Sequence, residues 1–323
     1  MKRAFDMRSF LADPIRLFVD YKRALNRQYL TEAAALRLLD AYLADRSVGT
    51  WSEIRPSLID GFLASRPRKR PRSYNHLRGV VHRFFQWAIV QGMTTVNPVQ
   101  ASTRRATSNR VPFLFNLQTA TRLLATARAL PDRAKGRSRG VIYEMIFALL
   151  YGLGLRVGEV ARLRLGDFDP RRGTLLIRQT KFGKSRLVPM GPSLAARLRR
   201  YLENQGLADG PIDGPMFSFT SRGCVHEGTI SQAFHHLVPQ LGLDLSAGVS
   251  PPRVHDLRHS FAVGTLTRWY RQGVDANRRL IHLSTFLGHV SPTTTAVYLT
   301  ITEELLRQAN LRFHGFAAPG GAP

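Results

Sequence analysis

Four short segments contain side chains that could act together on a phosphate group. In the first, an apolar run ends at two glycines, and Arg156 follows with Glu159 three residues further on. The arginine fork could bind phosphate oxygens while the carboxylate orients it, although a surface ion pair has the same spacing. In the second, Lys181 and Lys184 lie between two β-like runs, in a stretch as long as a hairpin turn. Solvated lysines are ordinary in turns, so neither segment identifies a site alone.

The third segment places His255, Arg258 and His259 on one face of a predicted helix, because residues three and four apart lie side by side. An imidazole beside a guanidinium suits a single phosphate. Two histidines four residues apart could also bind zinc. However, the glutamate that metalloproteases carry after the first histidine is replaced by Asp256, which argues against that kind of metal site.

The fourth segment contains His289 and, nine residues later, Tyr298. A tyrosine hydroxyl becomes a nucleophile when neighbouring groups activate it, and a histidine can support developing charge. Taken separately, a core histidine and a packing aromatic ring are the commoner explanations for these two residues. The chemistry is therefore indicated by the order and spacing of the four segments taken together, and not by any one of them.

The charge of the chain indicates its class of partner. Its 323 residues include 47 lysines and arginines against 22 aspartates and glutamates, a net charge of +25. Both halves of the sequence share the excess, so a basic tail on a neutral domain does not explain it. Such a protein attracts polyanions, and nucleic acid is the leading candidate, although arginine-rich genome composition could contribute part of the excess.

Cysteine content and hydropathy indicate the compartment. Cys224 is the single cysteine, which excludes an intramolecular disulfide and a cysteine-rich zinc site. No apolar run approaches the roughly 18 residues of a membrane span, and the first residues do not form a secretory signal. We expect a cytoplasmic protein that does not contact a membrane.

Apolar periodicity predicts the elements that must position these side chains. In the first hundred residues it predicts helices near 9–24, 31–44, 51–63 and 74–92. Residues 101–112 are polar and basic without periodicity, which indicates a linker. Beyond the linker, residues 173–179 and 185–189 are strand candidates among further helices. The predicted fold class is mainly α with a small antiparallel β-sheet.

The first two segments resemble motifs of the tyrosine recombinase, or phage integrase, family. In that family an arginine follows a Gly-Leu-Arg box with an acidic residue three positions on, which Arg156 and Glu159 match. The family hairpin motif G-K-G-x-K-x-R-x-V-P aligns without a gap to TKFGKSRLVP and places the family lysine at Lys181. Two glycines around that lysine are replaced here, which leaves Lys184 as the alternative.

The last two segments complete the resemblance. The H-x-L-R-H box is matched in full by His255, Arg258 and His259. The L-G-H box gives His289, and the family nucleophile falls nine residues later at Tyr298. All the positions occur in the family's order and at its spacing.

The resemblance implies a domain organisation and a set of site residues. It implies a helical core-binding domain at residues 1–100, a linker at 101–112, a catalytic domain at 113–312 and a disordered tail at 313–323. The catalytic residues that it implies are Arg156, Lys181, His255, Arg258, His289 and Tyr298, with Glu159 and His259 in support. It implies neither a metal nor a cofactor.

The implied function is site-specific DNA recombination. Tyr298 would cut DNA through a 3′-phosphotyrosyl intermediate, acting on double-stranded recombination sites within a homo-tetramer or a mixed recombinase tetramer. A terminal helix near 301–311 would dock onto a neighbouring protomer. The unusual hairpin favours an integrase or transposase of a mobile element over a chromosome-dimer resolvase.

Other functions stay open from the sequence. A type IB topoisomerase or a hairpin telomere resolvase would share the tyrosine chemistry. A non-catalytic DNA-binding regulator could keep the same fold. A metallohydrolase could use His255, His259 and His289.

Overall fold

The computed structural model describes residues 7–105, 111–132, 138–178, 184–220, 223–245, 249–289, 292–296 and 298. The chain forms two compact units, residues 1–109 and residues 110–323. Lys181, the terminal segment 301–311 and the tail 313–323 lie outside the described residues.

The first unit is helical, with α1 (Ala12–Ala24), α2 (Leu30–Ala44), α3 (Pro56–Ala64) and α4 (Pro71–Val90). Buried residues recur every three or four positions along α4, so this helix packs one apolar stripe against its neighbours. The single helix predicted at 51–63 is wrong: a 3₁₀ turn at Trp51–Glu53 precedes α3. Proline lacks an N–H and fits best in the first helical turn, so a new helix begins at Pro56.

The second unit contains the remaining helices and the sheet. The helices are α5 (Leu117–Arg128), α6 (Arg139–Leu153), α7 (Val157–Ala161), α8 (Pro192–Asn204), α9 (Glu227–Leu237), α10 (Asp256–Arg271), α11 (Ala276–Leu287) and α12 (Pro292–Ala296). The strands are β1 (Phe168–Asp169), β2 (Thr174–Ile177) and β3 (Arg186–Pro189). α6 is buried over most of its length and forms the centre of the core, packed against α5, α8 and α10.

The three strands form one antiparallel sheet in the order β1-β2-β3. Ile177 at the end of β2 pairs with Arg186 at the start of β3, so Arg186 lies at the end of the ladder nearest the segment that connects the two strands. The fold is therefore mainly α with a small antiparallel sheet, which confirms the predicted fold class. Among the described helices, none is long and apolar enough to cross a lipid bilayer.

Candidate active site

Arg156 lies in the tight connection between α6 and α7. Gly154 ends α6 with φ +59°, and a Cβ there would lie 2.5 Å from Cδ1 of Phe261, so this turn requires glycine. Arg156 follows in extended conformation as the residue that precedes α7. Its side chain is 31% exposed. The start of a helix thus fixes the backbone of Arg156 while the guanidinium stays accessible to a substrate.

Glu159 is a buried carboxylate that two arginines share. Oε1 accepts hydrogen bonds from Nη1 of Arg156 at 2.8 Å and from Nη1 of Arg186 at 3.0 Å. Oε2 accepts from Nη2 of Arg186 and from the backbone N–H of Arg156, both at 3.0 Å. Burial alone would raise the pKa of Glu159, but the hydrogen bonds and charges of Arg186, followed by those of Arg156, lower it to about 2. The carboxylate is therefore ionised at neutral pH.

Among the cations of the site that the structure describes, Arg258 is the most deeply buried, at 1% exposure. Its Nη1 donates to the carbonyl oxygen of Gly154 and its Nη2 to that of Leu287, both at 2.7 Å. Burial first, and then the charge of Arg156, lower the pKa of Arg258 to about 10. The guanidinium is still protonated at neutral pH, so it is a fixed positive charge.

Three consecutive carbonyl oxygens at the C-terminal end of α11 each accept a hydrogen bond from a different arginine. The pairs are Phe286 with Nε of Arg186 at 2.8 Å, Leu287 with Nη2 of Arg258 at 2.7 Å, and Gly288 with Nη2 of Arg156 at 2.8 Å. The last carbonyls of a helix lack partners within it and carry its partial negative charge. The end of α11 therefore holds three mutually repelling guanidiniums close together.

Tyr298 lies among these groups at 4% exposure. Its ring centroid is 5.4 Å from that of His259 and 6.1 Å from that of His289. Burial raises the pKa of Tyr298, while the charge and hydrogen bond of Arg258, and the charge of Arg156, oppose the rise. The phenol is therefore protonated at neutral pH, and the positive charges of Arg258 and Arg156 favour its ionised form.

The imidazoles of His289 and His255 are uncharged at neutral pH. His289 stacks on Tyr298 at an interplanar angle of 22°, and its Nδ1 lies 2.7 Å from Oγ1 of Thr295. Burial, followed by the charges of Arg258 and Arg156, lowers the pKa of His289 to about 4. Burial and neighbouring positive charges lower the pKa of His255 to about 4 as well, although this residue keeps contact with solvent. Each ring can therefore accept a proton or a hydrogen bond.

Seven of the eight predicted site residues come together in this cluster. They are Arg156, Glu159, His255, Arg258, His259, His289 and Tyr298, with His255 joined through a ring contact of 4.7 Å to His259. The eighth, Lys181, lies outside the described residues, and the alternative Lys184 lies two residues before β3. The catalytic roles of these residues stay predictions.

One residue of the cluster, Arg186, was not predicted as a site residue. Its signal was present, because the arginine of the hairpin motif TKFGKSRLVP occupies this position. Among the described residues, no group of three His, Cys, Asp or Glu side chains is arranged to hold a metal ion. The described His255, His259 and His289 thus do not form the triad that a metallohydrolase would need.

Comparison with known proteins decides the family. The model of the phage integrase family matches residues 116–304. The Sinorhizobium fredii protein y4rB, named as an integrase/recombinase, is 37% identical over 253 residues, which are 77% of this chain and 81% of y4rB. The chain belongs to the phage integrase family.

A second relative and a solved structure agree with this membership. Tyrosine recombinase XerD of Ralstonia nicotianae is 29% identical over 307 residues, 91% of this chain and 93% of XerD. The fold is similar to that of a lambda integrase tetramer bound to a Holliday junction, with a TM-score of 0.61 and 21% identity over 89% of this chain and 75% of that one. This phage integrase family member is a tyrosine-type site-specific recombinase, as the motifs predicted.

Proposed function

We propose that Tyr298 cleaves DNA by transesterification. The phenol oxygen attacks the scissile phosphorus, a P–O bond to tyrosine forms as the bond to the 5′-oxygen breaks, and a 3′-phosphotyrosyl link results. The 5′-hydroxyl of a partner strand then reverses the step. The observation that carries the proposal is the cluster itself: the buried Tyr298 lies in a row of ring contacts with three imidazoles, and the charges of Arg258 and Arg156 act on its phenol.

The main energetic obstacle is the phenol proton. An ordinary tyrosine, with a pKa near 10, is ionised to about one part in a thousand at pH 7, which corresponds to roughly 4 kcal/mol. Burial of Tyr298 raises its pKa further, while Arg258 beside the oxygen favours the phenolate. Arg156 and Arg258 have N–H donors left for the non-bridging phosphate oxygens, and their charges stabilise the five-coordinate transition state.

We assign the two proton transfers to His255 and Lys181. His255 accepts the phenol proton, since its imidazole is neutral at working pH, and Lys181 protonates the leaving 5′-oxygen. A bound phosphate counteracts the charges of Arg156 and Arg258, so it raises the pKa of His255 and makes this ring a better base. His289 donates a hydrogen bond to the phosphate.

Two further residues support this machinery in the proposal. Glu159 orients Arg156 through the hydrogen bonds described above. His259 steadies the ring of Tyr298, which it contacts at 5.4 Å.

The DNA partner follows from the distribution of charge. In the first unit, the exposed Arg72, His76 and Arg83 are four and seven residues apart, so they follow one side of α4 away from its buried stripe. We assign residues 1–100 to core binding and 113–312 to catalysis, and place phosphate contacts on both, in line with the net charge of +25.

The assembly we propose is a tetramer of this chain, or of this chain with a related recombinase, on paired DNA sites in the cytoplasm. The similar lambda integrase structure is a tetramer on a Holliday junction. We favour the integrase or transposase of a mobile element as the biological role. The support is the higher identity to y4rB, named as an integrase/recombinase, than to XerD.

A trapping experiment tests the chemistry. Wild type, Tyr298→Phe and the control Tyr270→Phe are each incubated with a nicked duplex library of randomised sequence, and SDS-resistant adducts are captured and sequenced. We expect adducts from wild type and Tyr270→Phe and none from Tyr298→Phe. Absence of any adduct would favour a non-catalytic DNA-binding regulator, and relaxation of supercoils without strand exchange would favour a type IB topoisomerase.

A further inference from the structure

Arg186 holds together three parts of the catalytic unit. It is the first residue of β3, at the end of the β2–β3 ladder next to the segment of sequence that contains Lys181. Its guanidinium binds Glu159 with two hydrogen bonds of 3.0 Å, and its Nε donates to the carbonyl oxygen of Phe286 at 2.8 Å. Its side chain is 11% exposed, against 31% for Arg156, so Arg186 is the inner and Arg156 the outer arginine on this carboxylate.

A second arginine–carboxylate pair lies beside the opposite strand of the hairpin, and its carboxylate does not connect to Arg156. Arg178, which follows β2, binds the buried Asp167, and Asp167 also accepts the backbone N–H of Arg164 at 2.9 Å, as Glu159 does from Arg156. The guanidinium of Arg164, however, binds Asp213 at 3.2 Å. The two pairs thus share an architecture, and one of them connects to the phosphate-binding arginine.

Charge explains what Arg186 does for Arg156. With Arg186 in place, each oxygen of Glu159 has a guanidinium donor from Arg186, and Arg156 contributes a single side-chain hydrogen bond. Without Arg186, a buried carboxylate would face Arg156 alone. The carboxylate would then draw Arg156 into a two-pronged pair and neutralise the charge that should meet the phosphate.

We propose that Arg186 is a positioning residue that satisfies Glu159 and so keeps Arg156 charged and directed at the scissile phosphate. The inference rests on the proposed function, because it concerns how Arg156 serves DNA cleavage. It assigns Arg186 no contact with the substrate. If Arg186 has this role, the loss of cleavage caused by removing Arg186 should depend on the charge of Glu159.

A double-mutant cycle tests this dependence in the full-length chain. Single-turnover cleavage of a trapped nicked duplex is measured for wild type, Arg186→Gln, Glu159→Gln and the double variant, with Arg178→Gln as the matched control. We expect Arg186→Gln to cleave about 100-fold more slowly at unchanged DNA affinity, and the double variant to cleave about 10-fold faster than Arg186→Gln. Arg178→Gln should lose melting temperature but keep cleavage within about threefold of wild type.

Several outcomes would overturn the inference. Additive losses in the cycle, or equal cleavage defects for Arg178→Gln and Arg186→Gln, would show that Arg186 only maintains the fold. If Arg186→Gln does not fold, Arg186→Lys takes its place in the cycle: it keeps the charge beside Glu159 and should cleave within about tenfold of wild type. Cleavage as slow as about 100-fold below wild type in a folded Arg186→Lys, not restored by Glu159→Gln, would contradict the proposal. An absence of adducts from wild type itself would instead overturn the proposed function.

Discussion

The ring of Tyr298 lies closer to that of His259 than to that of His289: the distances between ring centroids are 5.4 Å and 6.1 Å. His255 touches His259 in turn at 4.7 Å. The residue predicted to be only a support is thus the ring neighbour of the proposed nucleophile, and it lies in a row of rings from His255 to Tyr298. Loss of His259 should therefore disturb both the phenol and its proposed base.

Alanine substitutions should distinguish the role of His255 from that of His259. We expect His255→Ala to slow single-turnover cleavage by about 100-fold or more, because it removes the proton acceptor. His259→Ala should cost about 10-fold, since it loosens the packing of Tyr298 without removing the base. His236→Ala, at an exposed position of α9, is the control and should cleave normally. A wild-type rate for His259→Ala would make the ring contact irrelevant to catalysis.

Stability should fall as the solution becomes acidic. The pKa of His289 is about 4 in the folded chain and near 6.5 when unfolded, so the unfolded chain binds more protons between these values. The free energy of unfolding therefore decreases as pH falls from about 7 towards 4. Glu159, with a folded pKa of about 2, adds a loss that begins below its ordinary pKa.

Urea unfolding at several pH values between 7 and 4 measures this dependence. His289→Gln removes the titrating ring while keeping a polar side chain, so the slope of stability against pH should become shallower. His236→Gln, at an exposed position of α9, is the matched control for the loss of one histidine. An identical slope for wild type and His289→Gln would refute the assignment of a depressed pKa to His289.

The sequence predicted most elements because their apolar stripes are long. The apolar stripe of α4 and the continuous apolar run of α6 leave little ambiguity, whereas β1 has two residues, too few for a periodic signal. The break at Pro56 was missed because apolar residues continue across it. The preference of proline for the first turn of a helix sets this boundary, and the apolar periodicity does not show it.

The site was predictable in its side chains but not in its supports. The motifs list Arg156 and Arg258, but their main-chain partners, the carbonyls of Gly288 and Leu287, have no side-chain signature. The pairing of Arg186 with Glu159 joins residues 27 apart in sequence, and the spacing rules of one helix cannot show it. Only the folded chain brings the end of α11 to these arginines.

Gly288 should not tolerate a side chain. Its φ is +68°, and a Cβ would lie 2.7 Å from Nη1 of Arg186, so Gly288→Ala should destabilise the chain by about 1–3 kcal/mol and slow cleavage. Gly264→Ala is the matched control in α10, where nothing lies within 4 Å of the added methyl group. That helical position is exposed, so alanine should stabilise the chain by about 0.5–1 kcal/mol.

Chemical denaturation and cleavage assays on both glycine variants check this pair. A normal cleavage rate for Gly288→Ala would show that Arg186 can shift without disturbing the site. A destabilised Gly264→Ala would contradict the open space described around that residue.

Lysine should not replace Arg258. The guanidinium donates in two directions, to the carbonyls of Gly154 and Leu287, and its charge acts on Tyr298; an ammonium group on a flexible stem cannot reproduce this fork. We expect Arg258→Lys to cost about 1–3 kcal/mol of stability, because a buried carbonyl loses its donor. Cleavage should fall by about 100- to 1,000-fold, as for loss of one donor to a developing oxyanion.

The exposed Arg200→Lys is the control for Arg258→Lys and should match wild type in both measurements. Comparing melting temperature with single-turnover cleavage separates the two effects of Arg258. Cleavage that fell only in proportion to the unfolded fraction would mean that this arginine holds the fold and takes no part in the chemistry. Cleavage lost from a fully folded variant would show that the geometry of the guanidinium, and not its charge alone, stabilises the transition state, because lysine retains the positive charge and lacks the planar fork.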